Sequence, residues 1–386
     1  TPLIFMDIPG QSEDRVLLYG HMDKQPEMKG WHENKGPWEP VIEDGKLYGR
    51  GGADDGYAVF ASLTAIATLQ QNNIPHAHCV VIIEASEESG SEDLPFYLNL
   101  LKDDIGNPNF VVCLDSGCGN YKQMWSTTSL RGLIGGELSI NVIKSGLHSG
   151  HGSGVVPSAF DILRILLNRI EDPATAKVLL PELQADIPTQ RQEQAKQAAD
   201  IIGERFYNGY SWVEKTTPVV QDITQLILNR TWRAALSITG ADGLPPIADA
   251  GNVTLPKLSV KISMRTPPTC DIKKASDALK TILEQDPPFN AKVSYEPETS
   301  GPGWNAPALS PWLEAANKTA SEIFFEEPAV YLGEGGSIPF MGMLGDMFPD
   351  AQFLITGVLG PKSNAHGPNE FIHIEMGKRI TGCIAS

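Results

Sequence analysis

Residues 81–90 read VIIEASEESG. This stretch contains both a strand pattern, which indicates the fold, and a cluster of carboxylates, which indicates the chemistry. Its apolar start, Val81 to Ile83, is typical of a buried β-strand, and a Ser-Gly turn follows. The neighbouring carboxylates Glu87 and Glu88 lie just past that strand. Because their side chains point in different directions, one can bind a metal ion while the other accepts a proton from water. The alternative interpretation is a solvated acidic loop.

Acidic or histidine residues also follow the other apolar runs of the first part of the chain. They are His21 and Asp23 after one run, Asp54 in a glycine-rich loop, and Asp115 after a third run. The alternation of strands and helices predicts an open α/β sheet, in which ligands bind at the carboxyl ends of the strands. Each residue alone has a structural explanation, and Asp55 is expected to cap the helix that follows it. Together they predict one shared site.

The residue types of this predicted site suit a pair of metal ions. Zinc binds histidine nitrogen and carboxylate oxygen, and two ions about 3.5–4 Å apart can share a carboxylate and activate one water molecule. The predicted ligands are His21 and Asp115 for one ion, Glu88 and His366 for the other, and Asp54 as the bridge. Glu87 then remains free as a general base, and Asp23 is placed to orient His21.

The pattern changes after Ser126, where alternating strands replace the strand–helix repeat. Residues 171–235 are polar and helical, and we expect Trp212 and Trp232 to pack inside this stretch. The whole predicts an α/β fold in which a catalytic domain, with a mostly parallel sheet flanked by helices, contains an inserted α+β domain. The expected boundaries are 1–132 and 303–386 for the catalytic domain and 133–302 for the insertion.

Composition narrows the possible partners. The 386 residues carry a formal net charge of −17, which argues against binding to nucleic acid or to an anionic membrane. Apolar runs are too short to span a bilayer. Five scattered cysteines predict neither a disulfide framework nor a thiolate zinc site, and favour a cytoplasmic protein. The first residues lack a methionine and are strand-like, so the N-terminus is expected to be incomplete, and any targeting segment would be lost with it.

Seven short motifs are spread over nearly the whole chain. They are GHMD at 20–23, GRGGADDG at 49–56, EASEESGS at 84–91, LDSG at 114–117, GLHSG at 146–150, GGSIP at 335–339 and AHGPNE at 365–370. In content and order they resemble the carnosinase, glutamate carboxypeptidase and succinyl-diaminopimelate desuccinylase family of dinuclear metallopeptidases. The cytosolic dipeptidase and carnosinase branch is the most similar. The resemblance implies two divalent ions, zinc or alternatively manganese, and an inserted lid domain that forms a homodimer.

The resemblance also implies roles for residues in the second half of the chain. His148 resembles a lid histidine that reaches the partner subunit's site and stabilises the tetrahedral oxyanion. Arg265 resembles a lid arginine that pairs with a substrate carboxylate, a geometry suited to guanidinium. Gly335, Gly336 and Ser337 resemble a loop that contacts the substrate backbone.

The function predicted from the sequence is metal-dependent hydrolysis of the peptide bond in small peptides. A dipeptidase or a carboxypeptidase-like exopeptidase would use a water bridging two ions, with Glu87 as general base. The first alternative is a deacylase of N-acyl amino acids, which the same motifs would serve. A non-catalytic binding relative would be expected to lack Glu87 or a ligand, and a structural zinc protein would be expected to have paired cysteines.

Overall fold

The computed structural model describes residues 1–386 except for the side chain of Pro339. The strands are β1 (Leu3–Ile8), β2 (Arg15–His21), β3 (Val41–Glu43), β4 (Lys46–Tyr48), β5 (His78–Glu84), β6 (Phe110–Cys113), β7 (Trp125–Leu130), β8 (Gly132–Asn141), β9 (Leu147–His148), β10 (Glu171–Asp172), β11 (Lys177–Val178), β12 (Ala235–Asp242), β13 (Val253–Thr254), β14 (Lys257–Thr266), β15 (Lys292–Gly301), β16 (Trp304–Asn305), β17 (Val330–Glu334), β18 (Gln352–Ile355) and β19 (Phe371–His373). The helices are α1 (Tyr57–Gln71), α2 (Leu94–Leu100), α3 (Lys102–Ile105), α4 (Ser149–Gly152), α5 (Ala159–Leu167), α6 (Thr189–Ile202), α7 (Arg205–Asn208), α8 (Ile223–Thr231), α9 (Ile272–Glu284), α10 (Pro311–Phe325), α11 (Pro339–Met347) and α12 (Ile374–Ala385). Within the described part of the chain, none of these helices has the length and apolar character that a membrane crossing requires.

A five-stranded sheet in the order β1-β5-β2-β6-β18 forms the centre of the molecule. β1 pairs antiparallel with β5, and the other neighbours pair in parallel. The strand β5 contains the VIIE run and is buried from Cys79 to Glu84. Continuous burial is typical of a parallel strand that is covered on both faces. The carboxyl ends of β2, β5 and β6 therefore lie at one edge of the sheet.

Helices cover both faces of this sheet, as an α/β fold requires. On one face α1 and α12 pack together over the sheet, with Ala58, Ala61 and Ile380 buried in one apolar cluster. On the other face α2 and α11 contribute Leu98 and Leu344 to a second cluster. The mixed α/β fold predicted from the sequence is confirmed.

A separate antiparallel sheet, in the order β12-β14-β8-β15, lies within residues 132–301. Its own apolar cluster includes residues of α5 and α9, such as Ile162 and Leu279. The strand β12 is at the sheet edge and is mostly exposed from Ser237 onward. This unit has an α+β arrangement with a core of its own.

The helices α6 and α8 do not pack on that antiparallel sheet. Ala198, Ile227 and Trp232 belong to the same apolar cluster as Leu18 and Val81 of the central sheet. The polar helical stretch thus contributes to the core around the central sheet, although it lies far along the chain. Trp212 is 38% exposed, so the expectation that it packs inside is wrong. Its ring lies edge-on to that of Tyr210, and its Nε1 donates to the Tyr207 carbonyl at 2.8 Å.

Candidate active site

The carboxyl ends of β2, β5 and β6 bring the predicted site residues together. His21 is the last residue of β2 and is buried. Glu87 and Glu88 lie in the short turn after β5, and Asp115 follows β6. Asp54 is supplied by the glycine-rich loop before α1. Parallel pairing of the three strands places the residues that follow them at one edge of the sheet.

One candidate metal site is formed by His21, Asp54 and Asp115, whose ligand atoms lie within 4.8 Å of one another. His21 Nε2 is 3.3 Å from Asp54 Oδ1 and 3.8 Å from Asp115 Oδ2. This nitrogen is buried and has no hydrogen-bond partner among the described atoms. A buried nitrogen that lacks a partner but faces two carboxylates is the arrangement that a metal ion would satisfy.

A second candidate site shares Asp54 with the first. Asp54, Glu88 and His366 also offer ligand atoms within 4.8 Å of one another. His366 Nε2 is 2.9 Å from Asp54 Oδ2 and 3.4 Å from Glu88 Oε2. The two carboxylate oxygens of Asp54 thus face different histidines. The donor set of imidazole nitrogen and carboxylate oxygen fits divalent ions such as zinc.

The charges of the two sets are strongly coupled. Although burial opposes it, the Asp54 carboxylate, followed by Asp115, raises the pKa of His21 to about 10. Against the effect of burial, His21 and His366 hold the pKa of Asp54 well below its usual range. Burial raises the pKa of Asp115 to about 7. Without an added cation, Asp115 is therefore partly protonated at neutral pH, whereas Asp54 is ionised.

Glu87 belongs to neither set but lines the same cavity as Asp54, Glu88 and Asp115. Burial, reinforced by the negative charge of Asp115, raises the pKa of Glu87 to about 8. A carboxyl group with a pKa near neutrality, placed beside candidate metal ligands, is suited to accept and return a proton.

The Asp23 carboxylate contacts both His21 and the turn that carries Glu87 and Glu88. Its Oδ1 and Oδ2 accept hydrogen bonds from the backbone N–H groups of Glu87 and Glu88, at 3.2 and 2.9 Å. The same Oδ1 lies 3.3 Å from His21 Nδ1. Asp23 therefore orients the His21 ring and the turn that carries both glutamates.

Comparison with known proteins places this sequence in a family. The sequence profile described as "Peptidase family M20/M25/M40" matches residues 17–385.

The chain belongs to this family. It is a metal-dependent hydrolase of peptide bonds. It is 26% identical to the "Cysteinylglycine-S-conjugate dipeptidase" of Corynebacterium striatum over 363 residues, which cover 92% of this chain and 76% of that protein.

Two solved structures show the same fold as this M20 peptidase. The di-peptidase Dug1p from Saccharomyces cerevisiae aligns with a TM-score of 0.75 at 23% identity, covering 100% of this chain and 82% of that one. The M20 family metallo-carboxypeptidase Sso-CP2 from Sulfolobus solfataricus aligns with a TM-score of 0.81 at 20% identity, covering 100% and 86%.

The loop before α1 of the M20 peptidase differs from the expected helix cap. The helix begins at Tyr57 after Gly56, and no side chain caps it. Asp55 is instead fully buried, and its Oδ2 accepts a hydrogen bond from the His21 backbone N–H at 3.3 Å. The prediction that Asp55 caps the helix is therefore wrong, because the loop turns this carboxylate under the site rather than toward the helix end.

A buried ion pair between Arg50 and Glu370 supports the site, and it was not predicted from the sequence. Arg50 pairs with Glu370, and the side chains are 1% and 0% exposed. Glu370 Oε1 also accepts from the Gly51 N–H at 2.9 Å, and Arg50 Nη2 donates to the Gly367 carbonyl at 2.9 Å. The pair ties the loop that carries Asp54 to the loop of His366. The signal was an arginine and a glutamate within the GRGGADDG and AHGPNE motifs, each close to a predicted ligand.

Glu84, the first carboxylate of the central stretch, has a structural surrounding of its own. It is 2% exposed and accepts hydrogen bonds from the hydroxyls of Tyr19 and of Ser91, the latter at 2.9 Å. Ser86 Oγ donates to its second oxygen at 3.3 Å. Glu84 therefore anchors the start of the turn that carries Glu87 and Glu88.

The residues predicted from the second half of the chain are divided between two places. Gly336 and Ser337 line the same cavity as Glu87, and Arg265 Nη1 donates to Ser337 Oγ at 3.2 Å. His148 is exposed beside α4, with its Nδ1 accepting from the Gly150 N–H, and it is not among the described residues that line this cavity. One chain thus brings Arg265 to the edge of the site and leaves His148 apart from it.

Proposed function

We propose that this M20 peptidase is a dipeptidase with two metal ions, most simply zinc, with manganese as the alternative. The observation that supports it is the pair of candidate ligand sets that share Asp54, with Glu87 outside both. His21 and Asp115 would hold one ion. Glu88 and His366 would hold the other, and Asp54 would bridge the two.

Glu87 is the general base and then the general acid of the proposed reaction. When bound, two divalent ions lower the pKa of a water molecule and polarise the substrate carbonyl. Glu87 accepts one proton from the attacking water, whose oxygen forms a bond to the carbonyl carbon. The carbon–nitrogen bond then breaks, and Glu87 returns the proton to the leaving nitrogen. The Asp23 carboxylate keeps Glu87 in position by accepting a hydrogen bond from the Glu87 backbone N–H.

Arg265 is the proposed partner of the substrate's α-carboxylate. A guanidinium can bind both carboxylate oxygens at once, and the hydrogen bond to Ser337 Oγ supports its orientation. Gly335 and Gly336 precede this serine, and we propose that their backbone contacts the peptide. Fixing the substrate at its terminus would set the distance from its carbonyl to Glu87.

We propose that residues 133–302 form a lid domain, inserted between catalytic segments 1–132 and 303–386, and that the lid forms a homodimer. The antiparallel sheet β12-β14-β8-β15 supports a separate lid core. His148 is exposed on this unit, so its proposed role at the oxyanion requires a second copy of the chain.

Small peptides are the proposed substrates because the relatives that match nearly the whole chain are named as dipeptidases. Removal of a C-terminal residue from longer peptides and deacylation of N-acyl amino acids use the same cleavage chemistry, and substrate profiling separates the three.

The test is release of free amino acids from a panel of dipeptides, tripeptides and N-acyl amino acids, with zinc, manganese or a chelator present. We expect chelator-sensitive cleavage of dipeptides. A Glu87→Gln variant that still binds both ions should lose turnover. Cleavage of acyl compounds alone would make the protein a deacylase, and full turnover by the variant would contradict the role of Glu87.

A further inference from the structure

The cavity beside Glu87 is divided by charge. It has a volume of about 1230 Å³, above the roughly 300–1,000 Å³ that is usual for small-molecule sites. Its acidic part contains four of the candidate metal ligands, Asp54, Glu88, Asp115 and His366. Arg205 and Arg230, from the helical stretch that shares an apolar cluster with the central sheet, line another part. The cavity thus has room, beyond the metal-binding residues, for a further group of the substrate.

Arg230 is held in a defined position in this wall. It lies in the last turn of α8 and is half-buried. Its Cζ is 4.3 Å from the centroid of the Phe206 ring, so the guanidinium packs over an aromatic surface. Its Nε is buried and has no hydrogen-bond partner within the described protein. A fixed guanidinium with an unused buried donor is suited to bind an anion.

No acidic side chain neutralises Arg230. Among the described side chains, the arginines within 4.0 Å of a carboxylate are Arg50, Arg164 and Arg379. Glu334 lines the same cavity but is not within that distance of Arg230. The charge of Arg230 is therefore left for a ligand, in a chain whose net charge is −17.

Two other arginines lie near Arg230. A Cβ atom on Gly335 would lie 3.1 Å from Arg230 Cγ and 3.3 Å from Arg131 Nη2, so both side chains flank this glycine. Burial, with the positive charges of Arg265 and Arg230, lowers the pKa of Arg131 to about 10. Repulsion among these three guanidiniums lowers the stability of the folded protein, and a bound anion would offset it.

The other two members of this arginine cluster, Arg131 and Arg265, already have partners or a proposed role. Arg131 donates to the backbone carbonyls of Gly335, Asn229 and Arg233. Arg265 donates to Ser337 and is proposed to bind the substrate's α-carboxylate. Arg230 is the member that remains available.

We infer that Arg230 forms a second carboxylate-binding subsite, and that the enzyme prefers dipeptides that carry an aspartate or glutamate side chain. This inference rests on the proposed dipeptidase function. The structure of the cavity supports it because Arg230 is fixed, lacks an acidic partner, and lines the same space as Glu87.

The test compares kcat/KM for isosteric pairs, Gly-Glu against Gly-Gln and Glu-Gly against Gln-Gly, in the metal-loaded enzyme. We expect the wild type to prefer glutamate in at least one pair. Arg230→Met should lower that glutamate-over-glutamine ratio roughly 10- to 100-fold, the usual effect of losing a charge-assisted hydrogen bond. Arg230→Lys should keep part of the preference, because the charge remains but the planar fork is lost.

Arg233→Met is the matched control. Arg233 lies three residues further on, is exposed, and donates to the side chains of Asn229 and Gln225. Its removal should leave the ratio unchanged. A glutamate-over-glutamine ratio in Arg230→Met equal to that of the wild type would overturn the inference, even if kcat/KM fell equally for both peptides.

A separate binding measurement distinguishes failure of the inference from failure of the proposed function. If the wild type cleaves no dipeptide, the dipeptidase proposal fails. Calorimetric binding of free glutamate and glutamine to the metal-loaded protein then tests the subsite. Weaker binding of glutamate alone to Arg230→Met supports the subsite, and an equal change for both ligands overturns it.

Discussion

Two regions of the cavity concentrate charge of opposite sign. The acidic region gathers carboxylates and histidines at the ends of adjacent parallel strands, with Asp54 and Asp115 buried. The arginine cluster gathers Arg131, Arg230 and Arg265 from β7, α8 and β14 and their connections. In both regions like charges lie close together, and their repulsion destabilises the protein unless an ion of opposite charge is bound. The difference in sign favours different partners, and we propose cations for the first region and substrate anions for the second.

The regions also differ in how they are held. The acidic region is held by the hydrogen bonds that Asp23 accepts from the Glu87 and Glu88 N–H groups and by the buried Arg50–Glu370 pair. Arg230 is held by stacking on Phe206 and has no ion pair. A catalytic centre requires precise distances, whereas a carboxylate subsite tolerates more freedom. Variants that weaken either region test this contrast.

The largest effect is expected at Glu87. Glu87→Gln removes the proton acceptor while keeping the shape, so kcat should fall roughly 10²- to 10⁴-fold with both metals still bound. Steady-state kinetics with metal analysis checks this. Loss of the metals together with activity would instead make Glu87 a ligand.

The buried Arg50–Glu370 pair of the acidic region should contribute strongly to stability. Glu370→Gln leaves Arg50 buried without its carboxylate, which typically costs about 3–5 kcal/mol in the free energy of unfolding. Denaturant unfolding measures the change. Glu375→Gln is the matched control, because Glu375 pairs with Arg379 at the surface and should cost less than about 1 kcal/mol. Equal costs for the two variants would contradict the bracing role of Glu370.

The arginine cluster should affect binding more than chemistry. Arg265→Met removes the proposed partner of the α-carboxylate, so KM should rise roughly 10- to 100-fold while kcat changes less. The measurement is kinetics on a neutral dipeptide. A fall in kcat at constant KM would show that Arg265 acts in the transition state rather than in binding.

The smallest effect is a pH dependence that metal should remove. In the metal-free protein the pKa values of Glu87 and Asp115 are raised to about 8 and 7, so between pH 5 and pH 8 the folded state binds more protons than the unfolded state. Stability must then fall as pH rises, and His21, whose pKa is raised to about 10, adds in the same direction above its unfolded pKa.

Thermal unfolding in chelator should therefore show a Tm that falls by roughly 5 °C between pH 5 and pH 8. Bound metal displaces these protons, so the zinc-loaded protein should lack this decline. A metal-free Tm that rises over this range would mean that the carboxyl groups are ionised without a cation.

Much of the acidic region could be predicted because its residues lie in local motifs. Glu87 and Glu88 follow an apolar run that is long enough only for a strand, and the strand places them at a sheet edge whatever the rest of the chain does. The role of Asp55 was mistaken because a carboxylate before a helix suits both a cap and a buried loop. Only the path of the loop separates the two.

The arginine cluster could not be predicted in the same way. Arg230 alone is an arginine in the last turn of a helix, where a positive charge is favoured by the helix dipole and implies no ligand. The place of α6 in the apolar cluster of the central sheet was equally hidden, because this helix is polar and its packed face is marked mainly by small residues such as Ala198.

The sequence by itself determined the family, the mixed α/β fold and the candidate metal-binding and catalytic residues, because strand ends and short motifs constrain side chains over a few residues. Tertiary structure alone decided that Arg50 pairs with Glu370 and that Arg131, Arg230 and Arg265 converge beside Gly335. These contacts join segments that are tens to hundreds of residues apart. Their distances are set by how helices and sheets pack, which no local pattern of residues specifies.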